Sequence, residues 1–311
     1  MSSLQLFGEI SYPSKYQKCG GFMVLRPILK LLGLLPFKVL HFFSCILGIL
    51  FYITPNNYRS ITKTNLLLAY SYMKPLKIEF LLLKSLIHSN KSLIETGKIW
   101  YSISKDDLSN YVAVEGIEFI LDSLNKGSGA ILFTSHLGNI EVIIKYLGGM
   151  FDCTIPYTIS KNKQFEKIML EARKMMGVKM VEAKFSGVRS LYKDLKRGGL
   201  IAVAADQVPD KKNGQMSTFF NRQALTMSLV SNLASKTHSP CHSVACKREK
   251  DGHIFKIVFS KPIPDMGVLP IKDSINLMNR ELEKCIMKAP EQYAWEYKRF
   301  KHSSIKDPYN K

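Results

Sequence analysis

The chain is short of acidic residues and has no cysteine framework. Asp and Glu number 25 against 44 Lys and Arg, which leaves a net charge of +19. Such an excess favours an anionic partner, for example a phospholipid surface, a nucleic acid or a phosphorylated substrate. The six cysteines show no spacing typical of paired disulfides, which indicates a reducing compartment. A chain of 311 residues can bury a large core, as one domain or as a domain with an appendage.

Motifs for metal or nucleic-acid binding are also missing. His and Cys residues cluster at His238, Cys241, His242 and Cys246, but their spacing matches no usual zinc pattern. Nucleic-acid modules interleave basic residues with exposed aromatics or carry a recognisable motif. Here Lys and Arg are spread along the chain, so we expect no bound metal and no nucleic-acid partner.

A long hydrophobic run is lacking as well. Apolar residues concentrate between residues 25 and 53, yet the longest run without a charge, residues 39–53, has 15 residues. A membrane-spanning helix needs about 20, and a longer run would include Pro36 and Lys38. No small-residue cleavage site follows, which argues against a secretory signal. A tilted or bent single-pass anchor, a helix embedded in one leaflet and a buried soluble helix all remain open, and the basic charge favours membrane attachment.

The stretch 129–149 carries the clearest indication of chemistry. It begins as an apolar strand and ends as a mostly apolar helix that stops at a glycine pair. His136 lies between them, at the carboxyl end of the strand, where open α/β sheets bind their ligands. Asn139 is a suitable N-cap, and Glu141 is well placed in the first helical turn.

His136 and Glu141 could form a general-base pair. A carboxylate behind a histidine fixes the imidazole tautomer and stabilises the charged form during proton transfer. Five residues on one continuous helix turn about 140° away from the starting side, so the two side chains meet only if His136 sits in the turn. The alternative is a structural histidine and a solvated glutamate at the helix start.

Strands and helices alternate from residue 111 to about residue 236, and the remainder is richer in strands. This order predicts an α/β fold, with a mostly parallel central sheet flanked by helices and an N-terminal membrane helix. Residues 1–56 are predicted to form the anchoring region, and residues 57–311 one domain with a helical lead-in to residue 110 and an α/β core over 111–300. The predicted strands cover residues 111–114, 130–133, 153–157, 178–182, 200–205, 240–247 and 255–259.

Several motifs resemble those of one family. His136-Leu-Gly-Asn-Ile-Glu141 after an apolar strand resembles the signature of the bacterial lipid A late acyltransferases, the lauroyl/myristoyl transferases of the glycerolipid acyltransferase-like superfamily. Two departures stand out, because Asn221 replaces a usual glycine and Tyr297 a common histidine; Asn tolerates positive φ, so the turn at Asn221 can survive. The other matching positions are Arg59, Asn65, Asn162, Arg173, Gly177, Asp206, Gln207, Phe219, Phe220 and the run Pro290–Phe300.

The resemblance implies a reaction. A fatty acyl chain would pass from an acyl-carrier-protein thioester to a hydroxyl of a lipid A precursor, an anionic glycolipid, during lipopolysaccharide synthesis. The enzyme would work at the bacterial inner membrane, with its active site on the cytoplasmic side, and would need no metal or cofactor.

The resemblance also implies roles for residues. His136 would take the proton from the acceptor, and Glu141 would orient His136. From the position of the helix start, we also expect backbone N–H groups near Gly138 and Asn139 to hold the oxyanion. The residues expected to bind substrate are Asn139, Asn162, Arg173, Arg189, Asp206 and Gln207. Taken alone, Arg173 could equally be a charge at a helix C-terminus, and Asp206 a cap or loop acid.

Two alternatives stay open. One is an acyltransferase of the same fold that uses acyl-CoA and acts on another glycolipid or a lysophospholipid. The other is a membrane-associated binding protein without catalysis, or a basic nucleic-acid binder.

Overall fold

The computed structural model describes residues 25–249, 253–303 and 307–309. The helices are α1 (Leu25–Leu34), α2 (Phe37–Ile53), α3 (Asn57–Ala69), α4 (Pro75–Tyr101), α5 (Ile117–Asn125), α6 (Ile140–Met150), α7 (Lys163–Met175), α8 (Phe185–Lys196), α9 (Leu229–Thr237) and α10 (Ile271–Met287). The strands are β1 (Val112–Glu115), β2 (Ala130–Thr134), β3 (Cys153–Tyr157), β4 (Lys179–Glu182), β5 (Leu200–Ala204), β6 (Gly214–Phe219), β7 (Arg222–Met227), β8 (Cys241–Arg248) and β9 (Phe255–Phe259).

Seven strands form one sheet in the order β1-β9-β8-β2-β5-β3-β4. Every neighbouring pair is parallel except β8 and β9. A short connection follows β8, and short connections join antiparallel strands, whereas parallel strands need a crossover. The predicted α/β architecture, with a mostly parallel sheet flanked by helices, is confirmed.

Helices cover both faces of the sheet, so its central strands are buried on both sides. Alternate residues of β2 enter different cores, with Leu132 in one and Phe133 in the other. Helices α2, α4, α6 and α7 contribute to the first core, and α4, α8, α9 and α10 to the second. Burial on both faces explains why β2 and β5 read as continuous apolar runs.

The apolar N-terminal region is not one continuous helix. It breaks at Pro36, the N-cap of α2, because proline has no backbone N–H and its ring clashes with the preceding turn. Within the described residues, no single helix has both the length and the apolar character to cross a membrane; α2 and α3 pass that test only as a pair, bent by 81°. A single N-terminal helix able to span a membrane, as the predicted architecture includes, is therefore not found in the described residues. Residues 1–24 of the predicted anchoring region lie outside the described part.

A hairpin formed by β6 and β7 lies outside the strands predicted from the sequence. Strands β6 and β7 pair antiparallel with Phe219 opposite Arg222. Phe220 and Asn221, the two residues between them, have φ of 47° and 56°. Two-residue hairpin loops favour such positive φ values, so the prediction that Asn221 preserves this turn is confirmed.

Candidate active site

The turn between β2 and α6 carries His136. Asn139 caps α6, because its side chain accepts a hydrogen bond from the backbone N–H of Glu141 (3.1 Å), as predicted. Gly138 has a φ of +64°, and a Cβ at this position would lie 2.0 Å from the carbonyl oxygen of Cys246. Only glycine fits this backbone without strain, so the turn packs closely against β8 at Gly138.

Asp206 is the carboxylate that contacts His136. Strands β2 and β5 are neighbours, with Thr134 opposite Ala204, so the residues two positions beyond each strand end face one another. The Nδ1 atom of His136 lies 2.8 Å from Oδ1 of Asp206, and the backbone N–H of His136 donates to Oδ2 (2.9 Å). Asp206 therefore holds both the ring and the backbone of the histidine.

The environment of Asp206 keeps its carboxyl group ionised. Burial raises the pKa of this group, but the nearby His136 ring and the hydrogen bonds from His136 lower the pKa by more, to about 2. An ionised Asp206 accepts the Nδ1–H of the imidazole, which leaves Nε2 as the basic nitrogen. Tyr293 also hydrogen-bonds Asp206, and burial raises the pKa of its phenol well above the usual value, so the phenol stays a donor.

Glu141 does not contact His136, contrary to the expectation that it orients the histidine. Its Oε2 accepts from the indole Nε1 of Trp100 (2.8 Å), and its Oε1 accepts from Nη2 of Arg173 (2.6 Å). The glutamate lies in the first turn of α6, where its side chain enters the space between α4 and α7. Its side chain is fully buried and that of Arg173 is 11% exposed, so Glu141 is half of a buried ion pair.

The expected oxyanion donors near Gly138 and Asn139 are already occupied. The Gly138 N–H donates to the carbonyl oxygen of Gln292 (2.9 Å), and the Asn139 N–H is hydrogen-bonded to the Cys246 sulfur. These N–H groups hold the turn in place and do not point into the site. Backbone spacing could not predict this, because the partners come from distant parts of the chain.

An apolar cavity opens beside His136. Its polar lining includes Thr134, Gln207 and Arg173, and Nε2 of Gln207 lies 3.5 Å from Nε2 of His136. The cavity is narrow, with a volume of about 130 Å³, and it is partly open to solvent. Its apolar walls come from α6, α7 and the central sheet, and include Ile143, Leu147, Ile155, Met169, Ala202 and Val244.

The segment after α10 clamps the histidine turn, a role that its sequence did not reveal. The backbone N–H of Ala294 donates to the carbonyl oxygen of His136 (3.0 Å), and Tyr293 forms a β-bridge with Leu137. The hydroxyl of Tyr297 accepts from the backbone N–H of Val208 (2.8 Å), beside Gln207. The run Pro290–Phe300 therefore supports both sides of the site.

A buried ion network supports the turn from the other side. The Glu95 carboxylate accepts from the Asn139 amide (2.9 Å), from both Nε and Nη2 of Arg248 (2.7 Å each), and contacts Nε2 of His41 on α2 (2.7 Å). Ser92 donates to the carbonyl oxygen of Gly138 (2.6 Å). Burial raises the pKa of Glu95, but Arg248 and His41 lower it by more, to about 2. The network fixes the N-cap of α6.

The predicted substrate-binding residues divide into two groups. Arg173 and Gln207 line the cavity, and Asp206 lies directly behind His136. Asn162 instead caps α7 by accepting from the N–H of Phe165 (3.0 Å), Asn139 caps α6, and Arg189 is exposed on α8. None of these three lines the cavity in the described part of the chain, so their role in substrate binding stays a prediction.

The chain is similar to known proteins over most of its length. The family model described as bacterial lipid A biosynthesis acyltransferase matches residues 13–302. The lipid A biosynthesis lauroyltransferase of Escherichia coli is 25% identical over 279 residues, covering 88% of this chain and 89% of that protein. The palmitoleoyltransferase of the same organism is 23% identical, covering 86% of each chain, and a lipid A biosynthesis acyltransferase of Haemophilus influenzae is 26% identical, covering 78% and 77%. The chain therefore belongs to the bacterial lipid A biosynthesis acyltransferase family and is an O-acyltransferase.

Proposed function

We propose that this protein transfers a fatty acyl chain from an acyl-carrier-protein thioester to a hydroxyl of a lipid A precursor, with His136 as general base. One observation carries the proposal. The Nδ1 atom of His136 is held by the buried, ionised Asp206, while the ring lines an apolar cavity. A base beside an apolar cavity suits a reaction in which a hydroxyl meets a fatty acyl group.

The reaction proceeds without an acyl-enzyme. Nε2 of His136 takes the proton of the acceptor hydroxyl as its oxygen attacks the thioester carbonyl carbon. The tetrahedral intermediate collapses, the carbon–sulfur bond breaks, and the departing thiolate takes the proton back from the imidazolium. Asp206 stabilises the imidazolium that exists between these steps. The carbons of the acyl chain nearest the thioester contact the apolar walls of the cavity during transfer.

Gln207 is our candidate for the oxyanion donor, in place of the backbone groups near Gly138. Its Nε2 lies beside the basic nitrogen of His136, so its amide can reach a carbonyl oxygen whose carbon is under attack there. Arg173 lines the same cavity and is our candidate for contact with the donor's phosphopantetheine or the acceptor's phosphates, since a guanidinium matches such groups.

Glu141 then affects the reaction indirectly, through Arg173. It holds Arg173 at the cavity through their ion pair and does not touch His136 in this arrangement. A glutamate in this position is thus a positioning residue in our proposal, and Asp206 takes the role of orienting the histidine.

Membrane attachment is the second part of the proposal. Helix α2 exposes a set of apolar side chains, Phe42, Phe43, Ile46, Ile49, Leu50 and Ile53. Exposed apolar surface of this kind marks a membrane or protein contact, and the net charge of +19 favours an anionic bilayer. We assign this surface to the cytoplasmic leaflet of the bacterial inner membrane, and expect the basic surface also to attract acidic acyl-carrier protein.

The test is acyl transfer by detergent-solubilised protein, using acyl-carrier protein charged with chains of different lengths and an under-acylated lipid A precursor. We expect wild type to form product and His136→Ala to lose at least about 100-fold in rate, the usual contribution of a general base. His253→Ala, which removes an exposed histidine, is the matched control and should keep full activity. A folded His136→Ala protein with wild-type activity would overturn the mechanism, and product only with acyl-CoA and a lysophospholipid would overturn the donor and acceptor.

A further inference from the structure

A second pocket, on the far side of α6 from the cavity beside His136, is unusually rich in cations. We define the basic pocket by its charged lining, Arg26 and Lys30 on α1, Lys105 after α4, and Lys145 on α6. No carboxylate lines it in the described part of the chain. Trp100 forms one wall, and beyond its indole lies the Glu141–Arg173 pair, which separates the basic pocket from the cavity beside His136.

The cations of the basic pocket are poorly neutralised. Arg26 pairs with Glu171 at 3.2 Å, but within the described residues no carboxylate lies within ion-pair distance of Lys30, Lys105 or Lys145. Clustered like charges without counter-ions destabilise one another, so the pocket would gain from a bound anion.

Lys145 shows this imbalance most clearly. Its residue is 6% exposed, and among the described residues its ammonium has one acceptor, the carbonyl oxygen of Ile99 at 2.8 Å, although an ammonium has three donors. Burial, with repulsion from Lys105, lowers the pKa of Lys145 to about 8. Lys105 likewise reaches a backbone carbonyl, that of Gly148 at 3.2 Å. Both ammonium groups therefore keep donors for a further ligand.

The rim of the pocket indicates which anion fits. Leu31 and Leu34 of α1 line the pocket beside the cations and are 64% and 75% exposed. A phosphate with an attached apolar chain would satisfy both parts of such a site, since its charge would meet the lysines and its chain would cover the leucines. A free inorganic anion would leave the leucines exposed.

We propose that the basic pocket binds the phosphate headgroup of an anionic membrane phospholipid, at a site separate from the catalytic cavity. The inference rests on the membrane attachment proposed above. It adds a specific site for one lipid class to a general affinity for the bilayer, and it sets α1 at the level of the headgroups.

Trp100 supplies the probe for this site. The chain has two tryptophans, and Trp295 belongs to the second core, so it adds a background that the lipid should not change. The full-length protein in detergent micelles is titrated with phosphatidylglycerol or phosphatidylcholine brominated in the acyl chain, and Trp fluorescence is recorded. Trp100→Phe identifies the quenched component. Because micelles replace the bilayer and no transfer is measured, failure of this inference is distinct from failure of the proposed reaction.

We expect phosphatidylglycerol to quench Trp100 at much lower mole fractions than phosphatidylcholine. The double variant Lys30→Gln/Lys105→Gln should weaken phosphatidylglycerol binding about 25-fold, since each basic residue near an anionic lipid contributes about fivefold. Lys145→Met, which keeps the apolar stem, should also reduce the preference. The control Lys193→Gln/Lys196→Gln removes the same charge from exposed positions on α8 and should keep the preference for phosphatidylglycerol. Circular dichroism checks that each variant is folded.

Three results would overturn the inference. Equal quenching by both lipids would show that the pocket does not select an anion. Equal losses in the pocket and control variants would assign the preference to net charge alone. Displacement of phosphatidylglycerol by inorganic phosphate at equal concentration would assign the pocket to a free anion.

Discussion

A double-mutant cycle can test the Glu141–Arg173 pair. We expect removal of the pair to lower the stability of the fold more directly than it affects the transfer reaction. Glu141→Gln leaves the guanidinium of Arg173 buried without a counter-charge. Removing one partner of a buried pair costs about 3–5 kcal/mol, and we expect the lower end because Arg173 keeps an 11% exposed side chain at the cavity. Arg173→Met likewise leaves the fully buried carboxylate of Glu141 without a counter-charge. The double variant has neither charge, so it should recover about 2 kcal/mol relative to the sum of the single losses.

The chain provides a matched control on the surface of α7. Glu171 pairs with Arg26 at 3.2 Å, but their side chains are 40% and 48% exposed, so Glu171→Gln should cost less than about 1 kcal/mol. Denaturant unfolding in mild detergent gives the free energies, and transfer assays on the same samples give the rates. A coupling energy near zero would refute the buried-pair argument. If Glu141→Gln kept wild-type stability but shifted the pH–rate profile, Glu141 would act on His136 directly and our assignment of Asp206 would fail.

Three further predictions concern the histidine turn. Asp206→Asn should lower kcat by about 100- to 10,000-fold with little change in KM, measured by transfer kinetics; a loss confined to KM would contradict the orienting role. The pKa of Glu95 falls from 4.5 to about 2 on folding, so its contribution to stability is complete above pH 4.5 and disappears as the pH falls toward 2. Denaturant midpoints of Glu95→Gln should therefore decline less steeply with acid than those of wild type. Parallel curves for the two proteins would contradict this prediction. Gly138→Ala should destabilise the protein by about 2 kcal/mol or more, because Gly138 has a positive φ and a Cβ there would contact Cys246. Gly149→Ala should be tolerated, because a Cβ at that position would meet no atom within 4 Å. Equal thermal midpoints for the two variants would refute the argument.

Much of the fold follows from local pattern. Short apolar runs identified the strands of the main sheet, and their alternation with helices predicted that most of these strands run parallel. The hairpin β6–β7 was missed because residues 214–219, Gly-Gln-Met-Ser-Thr-Phe, are mostly polar and resemble a loop. Its strands are held by pairing with each other and by contact with α10, and neither interaction is visible in a short window.

The site was predictable only in part. Strand ends placed His136 and Asp206 at one edge of the sheet, but the choice of carboxylate depended on which strands are neighbours. Glu141 is close to His136 in sequence, whereas Asp206 is close in space because β5 lies beside β2. The clamp from Tyr293 and the support from Glu95 also cross between distant elements, so no spacing along the chain encodes them.

The clamp around Tyr293 has a consequence for biosynthesis. During translation, the segment with His136 emerges from the ribosome long before the segment with Tyr293 and Ala294. That later segment forms the hydrogen bonds to the histidine turn. Contacts between such distant residues form late and slowly. A nascent chain thus carries the basic nitrogen on an unfinished turn until its later residues are translated and docked. We expect the N-terminal helices of the growing polypeptide to reach the lipid surface while the chain is still catalytically inactive.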